Sequence, residues 1–354
     1  MCVHNKQVLL PDDIIETILP KLPVKSLLRF KAVSKSWKSM ISDPAFVRKK
    51  HLHQSSQQDN HLFLWKSKQW SSGFSVVKFE DGKFQILHDL RECPYGWDTV
   101  VSFSAGVLLL TEYSDSTYVL WNPSTRAKTM IWFPYRFNSH PKSYGVCYDS
   151  VSEDFKIVVI SSMSMRDYAV YSCKNKIWTK KKKGFPGTGR LGNESGLYVN
   201  GSIYWVYREG DARKIVYFDS GDDNFKILDK PKGVGENRPI FLACLKGCLS
   251  VYCNGENETV VRIWIREKNN CWVELVTIEN VDTVIELFDV EFVAENKVVI
   301  RSNTTRLMIY NISEKRFEDY DDKAVFGYAM VPYLETLFFP IENTRPKRKR
   351  KCLS

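Results

Sequence analysis

Cysteine and histidine are the side chains best suited to metal binding or nucleophilic chemistry, and this 354-residue chain carries nine of the first and six of the second. Their spacing points away from both. No Cys-x-x-Cys occurs, and the closest group, Cys244, Cys248 and Cys253, lies in strand-like sequence with no His nearby, so a zinc site is not expected. Scattered, mostly buried, reduced thiols fit these cysteines and an intracellular compartment. His51, His53 and His61 gather beside a polar stretch, Gln54 to Asn60, that reads as a linker. The Gly-x-Ser-x-Gly elbow, the Gly-rich phosphate loop and the His-Glu-x-x-His pair are all missing. No catalytic residue, metal or cofactor is therefore expected. An enzyme that assembles Tyr and His ligands from distant parts of the chain is kept as a minor alternative.

Charge is the second source of chemistry, and its distribution says more than the net value of +10. Residues 1–54 hold ten Lys and Arg against four Asp and Glu, and the last ten residues hold six against none. The large middle is close to neutral, which argues against a broad nucleic-acid-binding face. The terminal run of Arg345, Lys347, Arg348, Lys349, Arg350 and Lys351 reads as a nuclear-import signal, with a solvated basic tail as the plain alternative. No run of 18 apolar residues exists and the start lacks a signal-peptide core. The expected location is nucleus and cytoplasm.

Three short amphipathic helices must position whatever the amino-terminal region does. Asp13 and Glu16 form an Asp-x-x-Glu capping box, followed by Ile14, Ile15, Ile18, Leu19 and Leu22 at helical spacing until Pro20 and Pro23 stop the helix. A second helix is predicted from Val24 to about Val33. A third is capped by Ser34, turns Trp37, Met40 and Ile41 inward, and ends at Asp43-Pro44. A unit this small buries too little surface to be stable alone, so its apolar side needs cover, and a partner is the expected cover.

The ordered elements Leu10-Pro11, Ile18-Leu19, Leu22-Pro23-Val24, Leu27-Leu28-Arg29-Phe30 and Val33-Ser34-Lys35-x-Trp37 resemble an F-box of the large plant family. Pro20 departs from the pattern, standing where a helix former is usual. The resemblance implies docking on a Skp-type adaptor and, through it, on cullin and RING subunits. It assigns Leu10, Pro11, Ile14, Ile18, Leu19, Leu22, Pro23, Leu27, Leu28, Val33 and Trp37 to the Skp-binding face.

The middle of the chain repeats. Five times an apolar strand ends in a large side chain, a polar turn follows, and a second strand begins seven residues later, usually with an aromatic. The anchors are Trp121, Tyr171, Phe218, Ile265 and Tyr310, with Trp178, Phe225, Trp272 and Phe317 as second aromatics. A shorter hairpin around Phe79 and Phe84 lies about one period upstream. A period of about 45 to 50 residues is that of a β-propeller blade, so residues 60–340 accommodate about six blades. No Gly-Gly pair occurs, so the predicted ring is an irregular kelch-like β-propeller, with a twisted β-sandwich as the fold alternative. Asn200-Gly201 predicts a two-residue hairpin turn.

WNPSTR from Trp121 to Arg126, the Tyr144 to Val158 segment, YVNGSIYW from Tyr198 to Trp205, and the Phe218 to Leu228 and Gly247 to Glu267 segments resemble the F-box-associated domain of plant F-box proteins. The full reading is an α+β multidomain chain: an F-box over 5–54, a linker over 55–61, a β-propeller-like recognition domain over 62–340 and a basic tail over 341–354. The function implied is a non-catalytic adaptor that presents a target protein for ubiquitination and degradation. The rival reading is a nuclear scaffold or chromatin-associated propeller. Trp97, Trp132, Tyr135 and Arg136 are the candidate target contacts, because Tyr, Trp and Arg favour interface centres; packing between blades is the alternative for each.

Overall fold

The computed structural model describes residues 12–48, 62–66, 74–90, 94, 99–111, 116–135, 142–161, 167–182, 185–187, 189–191, 195–254, 260–279, 288–302, 306–318 and 330–340. Short helices come first: α1 Asp12–Ile18, which passes into a 3-10 turn at Leu19–Lys21, then α2 Val24–Phe30 and α3 Lys35–Ser42. Six antiparallel sheets follow, one per repeat, and they form a six-bladed propeller rather than a sandwich.

The blades, in chain order, begin at Leu62, Thr99, Lys142, Arg190, Phe241 and Phe288. Within each of the second to sixth blades the strands follow chain order or nearly so; the fourth carries a fifth strand, Leu197–Val199. The first blade is a composite. Its own three strands, Leu62–Lys66, Phe74–Glu80 and Lys83–Leu90, are joined by Met330–Pro332 from the far end of the chain, which pairs Leu64 with Val331. Ring closure therefore ties both ends of the propeller into one sheet.

From the second blade to the sixth, the inner strands of successive blades lie against one another around the axis. Moving outward, the second strand is the driest: every residue of Asp154–Ser161 is buried, as is every residue of Val107–Thr111. The continuous apolar run Val107-Leu108-Leu109-Leu110 follows from that position. Val107 and Leu109 face the third blade, whereas Leu108 and Leu110 face the first, so both sides of the strand are covered. Each pair of neighbouring blades shares one such cluster, six around the ring.

The repeated hairpins are the two outer strands of each blade. Their bracketing aromatics sit directly opposite each other in the register: Phe79 with Phe84, Tyr171 with Trp178, Phe218 with Phe225 and Tyr310 with Phe317. Ring centroids lie 4.9 to 5.4 Å apart, at the distance where aromatic pairs attract. In the fifth blade a bulge at Ile263/Trp264 slips the register, and Trp272 pairs with Arg266 instead. The second blade places Lys128 across from Trp121. The Asn200-Gly201 turn has φ of +47° and +87°, the left-handed pair that a type I′ turn requires.

Candidate functional site

The helical unit is two-sided. Ile15, Leu19, Val24, Leu27, Ile41 and Phe46 close a small core of its own. Ser34 caps α3 by accepting a bond from the Trp37 N–H at 3.1 Å, and Asp43 Oδ1 accepts from Ala45 and Phe46 N–H, starting a further helical turn over 44–48. Pro20 is accommodated because the helix has already tightened into its 3-10 turn at Leu19. The expected run of the second helix to Val33 stops at Phe30, and Lys31 to Val33 form a turn.

This division sorts the expected docking residues. Leu19 (2% exposed) and Leu27 (0%) are sealed inside the unit, so their role is to hold the helices together rather than to touch a partner. Ile14 and Ile18, one turn apart on the other side of α1, are 42% and 44% exposed, and Val33 is 64% exposed. Pro23 is also exposed, while Leu22, Leu28 and Trp37 are half-buried at the margin of the core. Phe30 stacks edge-on against Trp37 at 5.3 Å, an aromatic pair that sequence reasoning left unassigned. Leu10 and Pro11 lie outside the described residues.

The unit is seated by the last described segment of the chain. After Pro332 the chain continues the ladder with Tyr333 N–H on Leu62 C=O at 2.8 Å, then crosses the second blade. There Asn122 donates both amide hydrogens, to Thr336 C=O at 3.0 Å and Phe338 C=O at 2.7 Å. Ser124 Oγ bonds Tyr333 Oη at 2.7 Å and accepts from Thr336 N–H at 3.1 Å. Gly106 is required where this strap passes: a Cβ there would meet Leu334 C=O at 2.3 Å. Phe338 then packs on Tyr148 and Phe155 of the third blade, and Leu337 enters the core of the helical unit. Arg48 adds an exposed ion pair to Glu153 at 2.5 Å, the kind of contact that contributes little. WNPSTR is thus the clamp of a strap that joins the ring to the helices.

The Tyr144 to Val158 segment does comparable work between blades. Lys156, buried in the third blade, reaches the turn of the fourth, donating to Ser220 C=O at 2.6 Å and Asp223 Oδ1 at 2.8 Å with Asp149 Oδ2 at 3.4 Å. Burial alone would lower the Lys156 pKa, but the hydrogen bond and charge of Asp223 and the charge of Asp149 outweigh it and hold the pKa above its ordinary value.

The candidate target contacts diverge. Tyr135 is half-buried between the second and third blades, its hydroxyl on Trp178 C=O at 3.2 Å, so it is a packing residue. Trp132 offers its C=O to Trp178 Nε1 at 2.8 Å but leaves its indole 66% exposed on the outermost strand of the second blade. Met130, two residues earlier on the same face, is 68% exposed; alternation along the strand was the signal that could have found it. Trp97, Arg136 and the tail residues Arg345, Lys347, Arg348, Lys349, Arg350 and Lys351 lie outside the described residues.

A cavity of about 150 Å³ lies near the axis, bounded by Phe103, Ser195, Tyr204, Trp205 and Leu242 among others. Among the described residues no group of three or more His, Cys, Asp or Glu converges to hold a metal ion. Burial pushes the thiols of Cys147 and Cys173 up, and that of Cys244 up to about 11, so these stay protonated at neutral pH and are poor nucleophiles. No described helix is long and apolar enough to cross a membrane.

Comparison with known proteins agrees with this geometry. The family model described as F-box associated beta propeller domain matches residues 61–338, and that of the F-box domain matches residues 8–49. An F-box/kelch-repeat protein of Arabidopsis thaliana is 28% identical over 375 residues, covering 95% of this chain and 96% of the relative. The Arabidopsis F-box protein CPR1 is 23% identical over 347 residues, covering 87% and 83%. A third Arabidopsis F-box protein is 28% identical over 302 residues, covering 76% and 78%.

Proposed function

This chain belongs to the F-box proteins that carry an F-box-associated β-propeller domain, and on that premise we propose that it is the substrate-recognition adaptor of a Skp–cullin–F-box ubiquitin ligase. The helical unit, assigned to residues 5–54, docks on a Skp-type subunit and through it on cullin and RING subunits. A linker over 55–61 leads to the recognition domain over 62–340, which holds a target protein. The chain does no bond chemistry itself. Its contribution is proximity: a target held beside a charged ubiquitin carrier presents its lysines at high effective concentration, and other subunits of the assembly do the ubiquitin chemistry. The basic tail, residues 341–354, carries the nuclear-import signal, and deletion of residues 345–354 is expected to shift the protein from nucleus to cytoplasm without changing Skp affinity.

The observation that carries this reading is the split face of α1. Ile15 is buried in the unit's core, whereas Ile14 and Ile18 stand more than 40% exposed with no cover from the propeller among the described residues. Aliphatic side chains in that position are what a helix-on-helix interface uses as anchors. Ile14→Ser with Ile18→Ser is expected to weaken Skp binding at least ten-fold, measured by calorimetric titration, with the thermal melt unchanged. Undiminished binding would remove α1 from the interface. Leu27→Ala makes the control: it creates a cavity inside the unit and is expected to cost about 2–5 kcal/mol of its stability, lowering binding only through unfolding.

A further inference from the structure

Residues directly opposite each other on neighbouring antiparallel strands share one face of the sheet, and like charges placed there repel. Among the described registers, basic residues oppose one another in a single place. In the fourth blade Arg190, in the short strand Arg190–Leu191, lies across from Arg208 near the end of Ser202–Glu209, and Arg208 lies across from Arg213 near the start of Ala212–Asp219. Three guanidinium side chains therefore share one sheet face on three neighbouring strands, at roughly 5 Å from strand to strand.

The fold gives these charges little to bind. Arg190 is exposed and makes no hydrogen bond or ion pair among the described residues. Arg208 donates Nε to Gly210 C=O at 3.0 Å and comes only within 3.8 Å of Asp211 Oδ1, with both side chains exposed. Arg213 donates Nη1 to Asp211 C=O at 3.3 Å. A guanidinium has five N–H donors, so most of them remain for a ligand. Lys230 adds a further cation: it donates to Gly235 and Glu236 C=O, and the Glu236 C=O also accepts from Arg213 N–H. The carboxylates of this corner are Asp211 and Glu236, because Glu209 lies on the other sheet face and pairs with Lys214 at 2.7 Å. The corner is thus positive, and it stands away from the helical unit. Arg48 meets Glu153 in the turn between the first two strands of the third blade; the matching turn of the fourth is Asn200-Gly201, and Arg208 is at the far end of the strand that leaves it.

We propose that Arg190, Arg208 and Arg213 form a docking site for a phosphorylated segment of the target protein. A phosphoserine or phosphothreonine brings roughly two negative charges and several strong acceptors to one point, and guanidinium forks match phosphate oxygens in paired bonds. Charges stacked across strands converge on one such group, whereas the singly charged side chains of an unmodified acidic peptide are spread along its length. Nucleic acid suits the site less, because the body of the chain is close to neutral. Phosphorylation of the target then licenses its capture. The identity of the guest as a target rests on the adaptor reading; the anion site rests on the register of the fourth blade.

The test uses the full chain, alone and with a Skp subunit, on an array of random peptides with a fixed central phosphoserine, each beside its unphosphorylated twin. The best phosphopeptide is expected to bind at least about ten-fold more tightly than its twin and to be displaced by inorganic phosphate. Arg208→Gln, and the triple variant that adds Arg190→Gln and Arg213→Gln, should each remove most of that preference. The triple variant should melt at the wild-type temperature or above it, because a repulsion has been relieved. Lys181→Gln with Lys182→Gln, on the outer strand of the third blade, is the control and should change nothing. No preference for phosphate, equal binding by the arginine variants, or an equal loss in the lysine control overturns the proposal. A triple variant that melts well below the wild type does so too, since its arginines would then be holding the blade together. So does tighter binding of duplex DNA, or of phosphatidylcholine vesicles containing phosphoinositide, lost in the same variants, which would mean a different guest. Skp binding without phosphopeptide binding sinks the anion site and leaves the adaptor reading; phosphopeptide binding without Skp binding does the reverse.

Discussion

Two turns of this propeller have the same local structure and opposite uses. In the second blade Asn122 Oδ1 accepts from the N–H groups of Ser124 and Thr125, and in the sixth Asn311 Oδ1 accepts from those of Ser313 and Glu314. Both turns then close with a left-handed residue, Arg126 at φ +60° and Lys315 at φ +52°. The difference lies in the amide nitrogen. Asn311 spends its N–H within its own blade, on Glu318 Oε1 at 3.1 Å, whereas Asn122 reaches out of its blade to two carbonyls of the strap. One asparagine finishes a turn; the other holds the ring to the helical unit. Bonds that cross from one element to another, such as those of Asn122 and Lys156, should therefore matter more to the assembly than bonds made within a blade.

The sharpest way to break that comparison is Asn122→Asp. The substitution keeps the oxygen that orders the turn but sets a carboxylate, in a site with 0% exposure, against two carbonyl oxygens. A loss of about 4 kcal/mol is expected from the buried, unpaired charge, read as a lower urea midpoint, together with proteolytic release of the strap. A loss below about 1 kcal/mol would show that the strap is not held through this side chain. Lys156→Met comes next. It leaves Asp149 and Asp223 without their cation between the third and fourth blades, at an expected cost of about 3 kcal/mol. Asp149 is partly desolvated, which would raise its pKa, yet bonds from Ser152 and backbone N–H groups and the Lys156 charge hold it below the ordinary carboxylate value. Its stabilising effect is thus present above that ordinary value and lost as pH falls through the lowered one. The wild type should show that acid-side loss, and the variant less of it.

The same contrast marks what the sequence made legible. The outer hairpins could be found because their chemistry is local: an aromatic, a polar turn, and an aromatic directly across the register, as with Tyr310 and Phe317. Six such units announce six blades. The two-sided burial of Val107 to Leu110 could likewise be read as a strand. What the sequence could not show is which ends meet. Pairing of Leu64 with Val331 joins residues more than 250 positions apart, and no local pattern encodes the crossing of Thr336 under Asn122. The helical unit shows the same limit at smaller scale. Periodicity identified one apolar face on α1, but Ile15 and Leu19 point inward and Ile14 and Ile18 outward, and only packing separates them. Leu27 looked like a docking residue because a core leucine and an interface leucine follow the same pattern.

Within-blade bonds supply the weaker arm. Asn311→Ala removes the acceptor that orders residues 313 and 314 and the donor to Glu318, but water reaches this turn and Lys297 still pairs with Glu318 at 2.6 Å. The expected cost is about 1 kcal/mol, with no effect on the strap or on Skp binding. A cost equal to that of Asn122→Ala would erase the distinction between the two turns.

The smallest effect at neutral pH, and the one that separates burial from pairing inside a single blade, is expected at Glu291. This residue sits in the register shift between Val290 and Phe292, where the bulge turns it toward Arg301, with Nε 2.7 Å from Oε1. Burial is the larger influence and raises its carboxyl pKa to about 7, against the opposing charge of Arg301. The folded state then holds this proton more tightly than the unfolded chain does between the ordinary value of 4.5 and about 7. Stability should accordingly fall as pH rises through that window, by an amount on the order of 1 kcal/mol per pH unit, and level off above it. Glu291→Gln removes the titration and should flatten the slope. Arg301 keeps Asp289 at 3.2 Å, so the net change at pH 7 should stay within about 1 kcal/mol. Urea midpoints at pH 5, 6, 7 and 8 for both proteins decide the matter: parallel curves would mean that Glu291 is ionised throughout, and that pairing with Arg301 outweighs burial even within a single blade.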